Sequence, residues 1–461
     1  MSTKTLAKTT ASSSSRVAKK ARISTSETAK PKKAVVAQVK EAEHTPATIS
    51  AKQKGKQRAS TTSQRDTKDS IKDVSSDAAA LPSSFKIVAG SYEKLLYGLK
   101  CTVSAKDSDY EIDLKPVFIF PAHISSVKAV AASPQGGKWL ATGSTDETIK
   151  VWDLRRRKEL GGLMHHQGSI THLQFPSRSH LLSASEDGTL CLFRARDWAV
   201  LRTLKGHKGR VNCVAVHPSQ KVALSVGRDR TLRMWDLMRG KGSASTKLGK
   251  EGEVVRWSTD GTLFAVSTQS TIDIYSTDMK LLHIVNHPAR LHDIKFCKRV
   301  VGEGEVLLAS AEDKKVSIYS LPANHEVEPS IIAELVGHTN RVKAVETLSI
   351  ALPLSASQTS TTVVSTISSD GKIHVYDLAA LPAEAAEKVQ LNPIGTYDTK
   401  GTRLTCLTMA DGDLDAEAPA KSGKRKRDDA DEDDEDVSDK NDHALGSGGE
   451  DSYDEDGEEE E

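Results

Sequence analysis

Six strand-ending aromatic residues recur through the middle of the chain at a nearly constant interval. IKVWDL places Trp152, LCLFRA Phe193, LRMWDL Trp235, IDIYST Tyr275, VSIYSL Tyr319 and IHVYDL Tyr376, at spacings of 41, 42, 40, 44 and 57 residues. Six residues before these aromatics lie Asp146, Asp187, Asp229, Gln269, Asp313 and Asp370, in turns between two alternating strands. Further upstream come His123, His166, His207, His287 and His338, each just ahead of an apolar run. A unit of ~40–45 residues built from short alternating strands cannot bury its apolar faces alone, so it must stack on copies of itself. The expectation is an all-β fold of four-stranded blades arranged as a propeller.

Six complete units run 120–154, 155–197, 198–238, 239–277, 278–321 and 324–378, and the ends of the repeat region supply one more. FKIVAGSYEKLLYGLKC (85–101) aligns with WLATGSTDETIKVWDL and gives two strands, while PVFIFPAH gives an outer one. NPIGTYDTKG finishes the preceding blade, leaving TRLTCLTM (402–409) as an inner strand without partners of its own. Joining 85–121 with 402–409 makes a shared closing blade and a seven-bladed ring. Closure protects strand edges that would otherwise template aggregation. The long last spacing is assigned to LSIALPLSASQTSTT (348–362), an insertion between two strands.

Over essentially all of 85–410 this pattern resembles the WD-repeat β-propeller family. That resemblance implies a hydrogen-bonded set of His, Ser or Thr, turn Asp and Trp inside each blade. Carried over by position, His123, Thr142, Asp146 and Trp152 form one set, and His207, Ser225, Asp229 and Trp235 another. His166, Ser183 and Asp187 form a third, in which Phe193 replaces the Trp and loses its indole donor. The fifth unit has Ala309 at the hydroxyl position, and the fourth lacks both His and Asp. A buried carboxylate and imidazole are tolerable only when mutually hydrogen-bonded, so His207 and Asp229 read as structural and not as a catalytic dyad.

A net charge of +1 conceals strong polarity along the chain. Residues 1–84 hold 17 Lys/Arg against 7 Asp/Glu, with no Phe, Trp or Tyr; residues 411–461 hold 6 against 23. Neither composition can offset its own conformational entropy, so both are expected as disordered tails, basic and acidic, around a propeller at 85–410. No apolar run approaches a signal peptide or a membrane span. Five scattered cysteines without a CxxC pair suit a reducing compartment. The expectation is a soluble intracellular protein.

Motifs of catalysis are missing. No GxxxxGK[ST] phosphate loop is present, GKGSAST (240–246) reads as a connector, and no GxSxG elbow occurs. No enzyme activity, cofactor, metal or small-molecule substrate is expected. Three basic clusters resemble nuclear import signals: Lys19, Lys20 and Arg22 with Lys30, Lys32 and Lys33, and then Lys424, Arg425, Lys426 and Arg427. Lys208, Arg210, Arg228, Arg230 and Arg341 fall in loops entering innermost strands or around Asp turns. Those loops converge on one propeller face, a candidate surface for an acidic partner or RNA backbone.

The order of the blocks FKIVAGSYEKLLYGL, HLQFPSRSHLLSASEDGTLCLF, VHPSQKVALSVGRDRTLRMW and EVVRWSTDGTLFAVSTQSTIDIY is more specific still. Over 85–409 it closely resembles the p21-activated-kinase-interacting protein family, called maintenance-of-killer in fungi. The resemblance implies a nucleolar, non-enzymatic assembly factor of the large ribosomal subunit. Its partners would be assembly factors, ribosomal proteins and pre-rRNA. The animal branch implies a second role, binding and restraint of a p21-activated kinase.

Overall fold

Short apolar-polar runs punctuated by tight turns give each 40-residue unit its antiparallel strands. In the computed structural model, residues 81–412 are described apart from 107–108, 323–326, 355, 357 and 383–387. Blade 1 places Val127–Ala132 innermost, followed by Trp139–Ser144, Ile149–Asp153 and Lys158–Leu163. Blades 2 to 6 repeat this order over 170–205, 211–247, 254–286, 291–335 and 342–398. Blade 7 draws on both ends of the repeat region: Leu404–Asp411 is innermost, then Ser84–Ser91, Leu95–Lys106 and Asp109–Pro121. The protein is an all-β, seven-bladed propeller.

The ring closes through strand pairing and side-chain burial together. Leu404–Asp411 runs antiparallel to Ser84–Ser91, from Phe85 opposite Asp411 to Ser91 opposite Leu404. Each innermost strand packs on the next, and Leu404–Asp411 touches both Val127–Ala132 and Val342–Ala351. Leu404, Leu407 and Met409 enter an apolar cluster with Ile87, Ile350, Ile367 and Ile373, so blades 6 and 7 share one core. A second cluster runs across blades 3, 4 and 5 through Val226, Phe264, Ile294 and Leu307.

Several local departures have physical causes. The segment 348–362 is not a free insertion, because both of its ends continue strands: Val342–Ala351 and Ser360–Ser368 form one long hairpin. Ile350 is buried there, the Ser349 and Thr362 hydroxyls lie 3.1 Å apart, and the Ala351 N–H donates to Pro82 O. GKGSAST is likewise no connector, because Lys241–Lys247 is the outer strand of blade 3. That strand is almost wholly exposed, so it needs backbone pairing but no apolar alternation. Val389–Leu391 adds a fifth strand to blade 5, parallel to Ser330–Leu335.

The hairpin of blade 4 is one residue shorter than its counterparts. Phe264 pairs with Tyr275, whereas Ala223 pairs with Trp235 and Leu140 with Trp152. Gln269 is therefore not in the place of the turn Asp, although it lies six residues before its aromatic. In blade 7 the outer strand begins at Asp109, earlier than PVFIFPAH suggests, and the lengthened hairpin packs on blade 6.

Truncation before Thr402 removes the innermost strand of blade 7 and strips the edge of Ser84–Ser91. Loss of soluble, cooperatively melting protein is the expected result, while truncation after Gly412 leaves every described strand in place. Equal melting curves for the two truncations would refute closure by this strand.

Candidate functional site

Each polar set spans two blades, because its His lies between the outer strand of one blade and the innermost strand of the next. In blade 3, His207 Nδ1 lies 3.0 Å from the Asp229 carboxylate and Nε2 lies 2.7 Å from Ser225 Oγ. The Trp235 indole N–H donates to the same hydroxyl at 2.8 Å. Blade 1 repeats this with His123 to Asp146 at 3.0 Å, His123 to Thr142 at 2.8 Å and Trp152 to Thr142 at 3.0 Å. In blade 2, His166 reaches Asp187 at 2.9 Å and Ser183 at 2.7 Å, and Phe193 fills the aromatic place without a hydrogen bond to Ser183. The consistent proton arrangement has Nδ1–H donating to the carboxylate and Nε2 accepting from the hydroxyl.

The Asp holds the turn as well as the imidazole. Its carboxylate accepts the backbone N–H that follows each His, from Ile124, Gln167 and Lys208. It also accepts the hydroxyl two residues on, from Thr148, Thr189 and Thr231 at 2.7, 2.7 and 2.8 Å. Those threonines escaped the sequence reading, though Asp-x-Thr is visible in all three turns. The residue between them takes positive φ, at Glu147, Gly188 and Arg230 (66°, 81° and 58°), a conformation that favours Gly but that turn geometry imposes.

Blade 6 contains a further set. His338 Nε2 lies 2.8 Å from Thr366 Oγ1, its Nδ1 lies 3.3 Å from Asp370, and the Tyr376 hydroxyl donates to Val336 O. Thr366 stands four residues before Asp370, as Thr142, Ser183 and Ser225 do before their Asp, so the signal was present. In blade 5, Ala309 leaves no hydroxyl; His287 Nδ1 instead lies 2.7 Å from the Tyr319 hydroxyl, and Asp313 stands 3.7 Å from Nε2. Blade 4 replaces the set with aromatic packing, Phe264 stacking on Tyr275 at 5.1 Å.

Lys208, Arg210, Arg228, Arg230 and Arg341 all lie on the face of the Asp turns, but in two places. The first four surround the His207–Asp229 loops of blade 3, and Arg341 stands on blade 6. Lys208, Arg228 and Arg230 are exposed. Arg210 donates to Asn212 and to Glu251 at 3.2 Å and lies 3.8 Å from Glu186, so acids of the same face offset its charge. Arg341 is half-buried and donates to Ser369. The import-type clusters at Lys19–Lys33 and Lys424–Arg427 lie outside the described residues.

Sequence reasoning missed the mouth of the central channel. Lys128, Thr171, Asn212, His292, Lys343 and Thr405 occupy the second position of their innermost strands and, with Glu253, ring a cavity of about 230 Å³. Lys343 Nζ lies 3.5 Å from His292 Nε2. Burial, followed by Arg341, Arg290 and Lys128, pushes the Lys343 ammonium down to about 8. Burial and Lys343 push His292 down to about 4. Deeper in, Arg256 donates to Asp293 at 2.9 Å, and Lys295 pairs with Glu346. Among the described residues no group of three or more His, Cys, Asp or Glu side chains is arranged to hold a metal.

Replacing Asp229 by Ala strands His207 and the Lys208 N–H, so a loss of ~1–3 kcal/mol is expected by thermal or urea unfolding. Asp370→Ala is expected to fall in the same range, whereas Gln269→Ala is expected to be nearly silent. Stability also depends on pH. Burial holds His123, His166 and His207 below their ordinary 6.5 despite the Asp partners, so the unfolded chain binds more protons as pH falls through 6.5. Burial alone would raise Asp146, Asp187 and Asp229, yet their hydrogen bonds bring them below 3.8, which continues the loss below about pH 4. Asp273 and Asp293, raised by burial, act in the opposite sense in the carboxylate range. The melting temperature is therefore expected to decline as pH falls from 6.5 to 5; a flat profile there would exclude neutral, buried imidazoles.

Comparison with known proteins agrees with this geometry. Residues 114–153, 157–194 and 198–236 match the WD domain, G-beta repeat, family. The chain is 35% identical over 325 residues to the p21-activated protein kinase-interacting protein 1-like of Danio rerio, covering 70% of this chain and 80% of that protein. It is 33% identical over 370 residues to Protein MAK11 of Saccharomyces cerevisiae, covering 72% and 84%. With Shk1 kinase-binding protein 15 of Schizosaccharomyces pombe it shares 28% over 343 residues, covering 72% and 86%. The propeller and these interactor-type names point to a non-catalytic scaffold fold. Identity of this extent over 70% of the chain, together with the WD-repeat architecture, means that the chain belongs to the family of the p21-activated protein kinase-interacting proteins and Protein MAK11.

Proposed function

We propose that this protein is a non-enzymatic scaffold in nucleolar assembly of the large ribosomal subunit. In this reading it binds assembly factors and ribosomal proteins of that subunit and touches pre-rRNA through its phosphate backbone. The observation that carries the reading is the resemblance of the blocks within 85–409 to the maintenance-of-killer branch, supported by the match to Protein MAK11 over 72% of the chain. The channel mouth and the exposed Lys208, Arg228 and Arg230 offer cations to an acidic or phosphate partner. The segments 1–84 and 411–461 are taken as tails around the propeller at 85–410, with Lys19 to Lys33 and Lys424 to Arg427 directing import to the nucleus and nucleolus.

A second reading has its own support. The relatives from Danio rerio and Schizosaccharomyces pombe are named for binding a kinase, which favours an adaptor that binds and restrains a p21-activated kinase. Purifying tagged protein and sequencing the bound RNA separates the two. Large-subunit pre-rRNA supports scaffolding, and kinase without RNA supports the adaptor.

Reversing Lys208, Arg228 and Arg230 to Glu is expected to leave stability within ~0.5 kcal/mol, since all three are exposed. Association with large-subunit precursors, followed by co-sedimentation, is expected to weaken and to become less dependent on salt. Unchanged co-sedimentation of a stable triple variant would remove this face from the proposal.

A further inference from the structure

The face opposite the Asp turns carries a dense group of exposed cations on blades 1 to 3. Its turns follow the innermost and third strands of each blade. Arg156, Arg157 and Lys158 come from blade 1, Arg178 and Arg196 from blade 2, and Lys221 from blade 3. All six are exposed, and none has an acidic side-chain partner among the described residues. The acids nearby are already engaged. Asp153 caps the Arg155 and Arg156 N–H groups at 2.9 Å, Asp197 pairs with Arg194, and Asp236 lies 3.6 Å from Arg239. An uncompensated field of one sign repels itself and attracts a polyanion.

The chain delivers such a polyanion to this face. Leu404–Asp411 ends here, where the Asp411 carboxylate accepts the Gly136 N–H at 3.0 Å and the Gly412 N–H donates to Ser84 O. The Arg155 guanidinium donates to Gly136 O at 3.5 Å, so the exit point adjoins the arginine turn of blade 1. Residues 413–461 contain 22 Asp/Glu against 6 Lys/Arg, and eight of the nine residues in 428–436 are acidic. That run starts 16 residues beyond Gly412. At ~5–6 Å × √n such a spacer reaches roughly 20–25 Å, and up to ~50 Å when extended, enough to cross the neighbouring blades. Tethering also raises the local concentration to the order of millimolar.

We propose that the acidic segment beginning at Asp428 docks on the basic face of blades 1 to 3 of the same molecule. The contact is electrostatic, it weakens with salt, and an external polyanion seeking this face must displace it. The inference stands on the charge layout and the exit point, so it does not depend on the ribosomal or kinase reading.

Zero-length carbodiimide cross-linking of the full chain tests it, because it joins a lysine amine only to a carboxylate in contact. At about 20 mM salt, cross-links are expected from Lys158 and Lys221 to 428–436, fading by about 0.5 M. In a mixture of isotope-labelled and unlabelled chains they are expected within one chain. Arg156→Glu with Arg157→Glu and Arg178→Glu is expected to reduce them by about fivefold; should the reversal unfold the chain, Gln at the same positions reads the same loss. Acidic-segment cross-links confined to lysines of 1–84, of the Asp-turn face or of a second copy would overturn the proposal. So would cross-links that persist undiminished in the variant, or their absence at low salt.

Discussion

The antiparallel pairing of Leu404–Asp411 with Ser84–Ser91 sustains the whole ring. Every blade covers its apolar faces only with its neighbours, so an open ring would expose two sheet faces and two strand edges at once. The strand forming the last contact comes more than 300 residues after its partner, and the entropy of closing so long a loop grows slowly with length. Burial of Leu404, Leu407 and Met409 beside Ile87, Ile367 and Ile373 offsets it. Thr405 adds a polar clasp, its hydroxyl lying 2.6 Å from Val127 O and 3.1 Å from Gly90 O, one on each side of the seam between blades 7 and 1.

The polar sets depend on this closure, because they bridge blades. His207 leaves the outer strand of blade 2 and docks on the Asp229 and Ser225 of blade 3. A low-dielectric site strengthens such bonds and penalises any unpaired member, and blade 5 carries that cost at Asp313, whose buried carboxylate accepts no hydrogen bond among the described residues. Blades 1, 2, 3 and 6 keep His, hydroxyl and Asp. Blade 4 replaces them by stacked Phe264 and Tyr275, with Trp257 edge-on to Phe264 at 5.3 Å. Blade 5 recruits the Tyr319 hydroxyl for a hydroxyl it lacks. The apolar cluster joining blades 3 to 5 lies where the polar sets are weakest.

Charge is distributed in a different pattern from structure. On the Asp-turn face, acids stand beside the cations, and Arg210 is matched by Glu251 and Glu186. The opposite face is one-sided over blades 1 to 3, with its acids consumed by turn capping and local ion pairs. A mixed face suits recognition by shape and register, whereas a one-sided face suits a polyanion held by long-range attraction.

The blade number, the closing blade and the members of three polar sets were legible along the chain, because each follows from short-range spacing. An aromatic ten residues after its hydroxyl, or an Asp six residues before its aromatic, is fixed by hairpin geometry. Composition likewise marked the oppositely charged ends. The same local logic failed wherever a neighbour decided the outcome. The exposed GKGSAST became a strand because a partner strand offered hydrogen bonds, and 348–362 became a hairpin because Ile350 found a core. The one-residue difference in blade 4 is invisible in a spacing count that already varies by several residues. Packing of the ring sets the rest: among the described residues Arg210 is offset by acids while Arg157 and Arg178 are not, Lys343 and His292 meet at the channel mouth, and Asp411 emerges beside the arginine turn. Those facts depend on which distant segments face each other in space, and charge pairing, burial and chain exit are properties of that arrangement and not of neighbours along the chain.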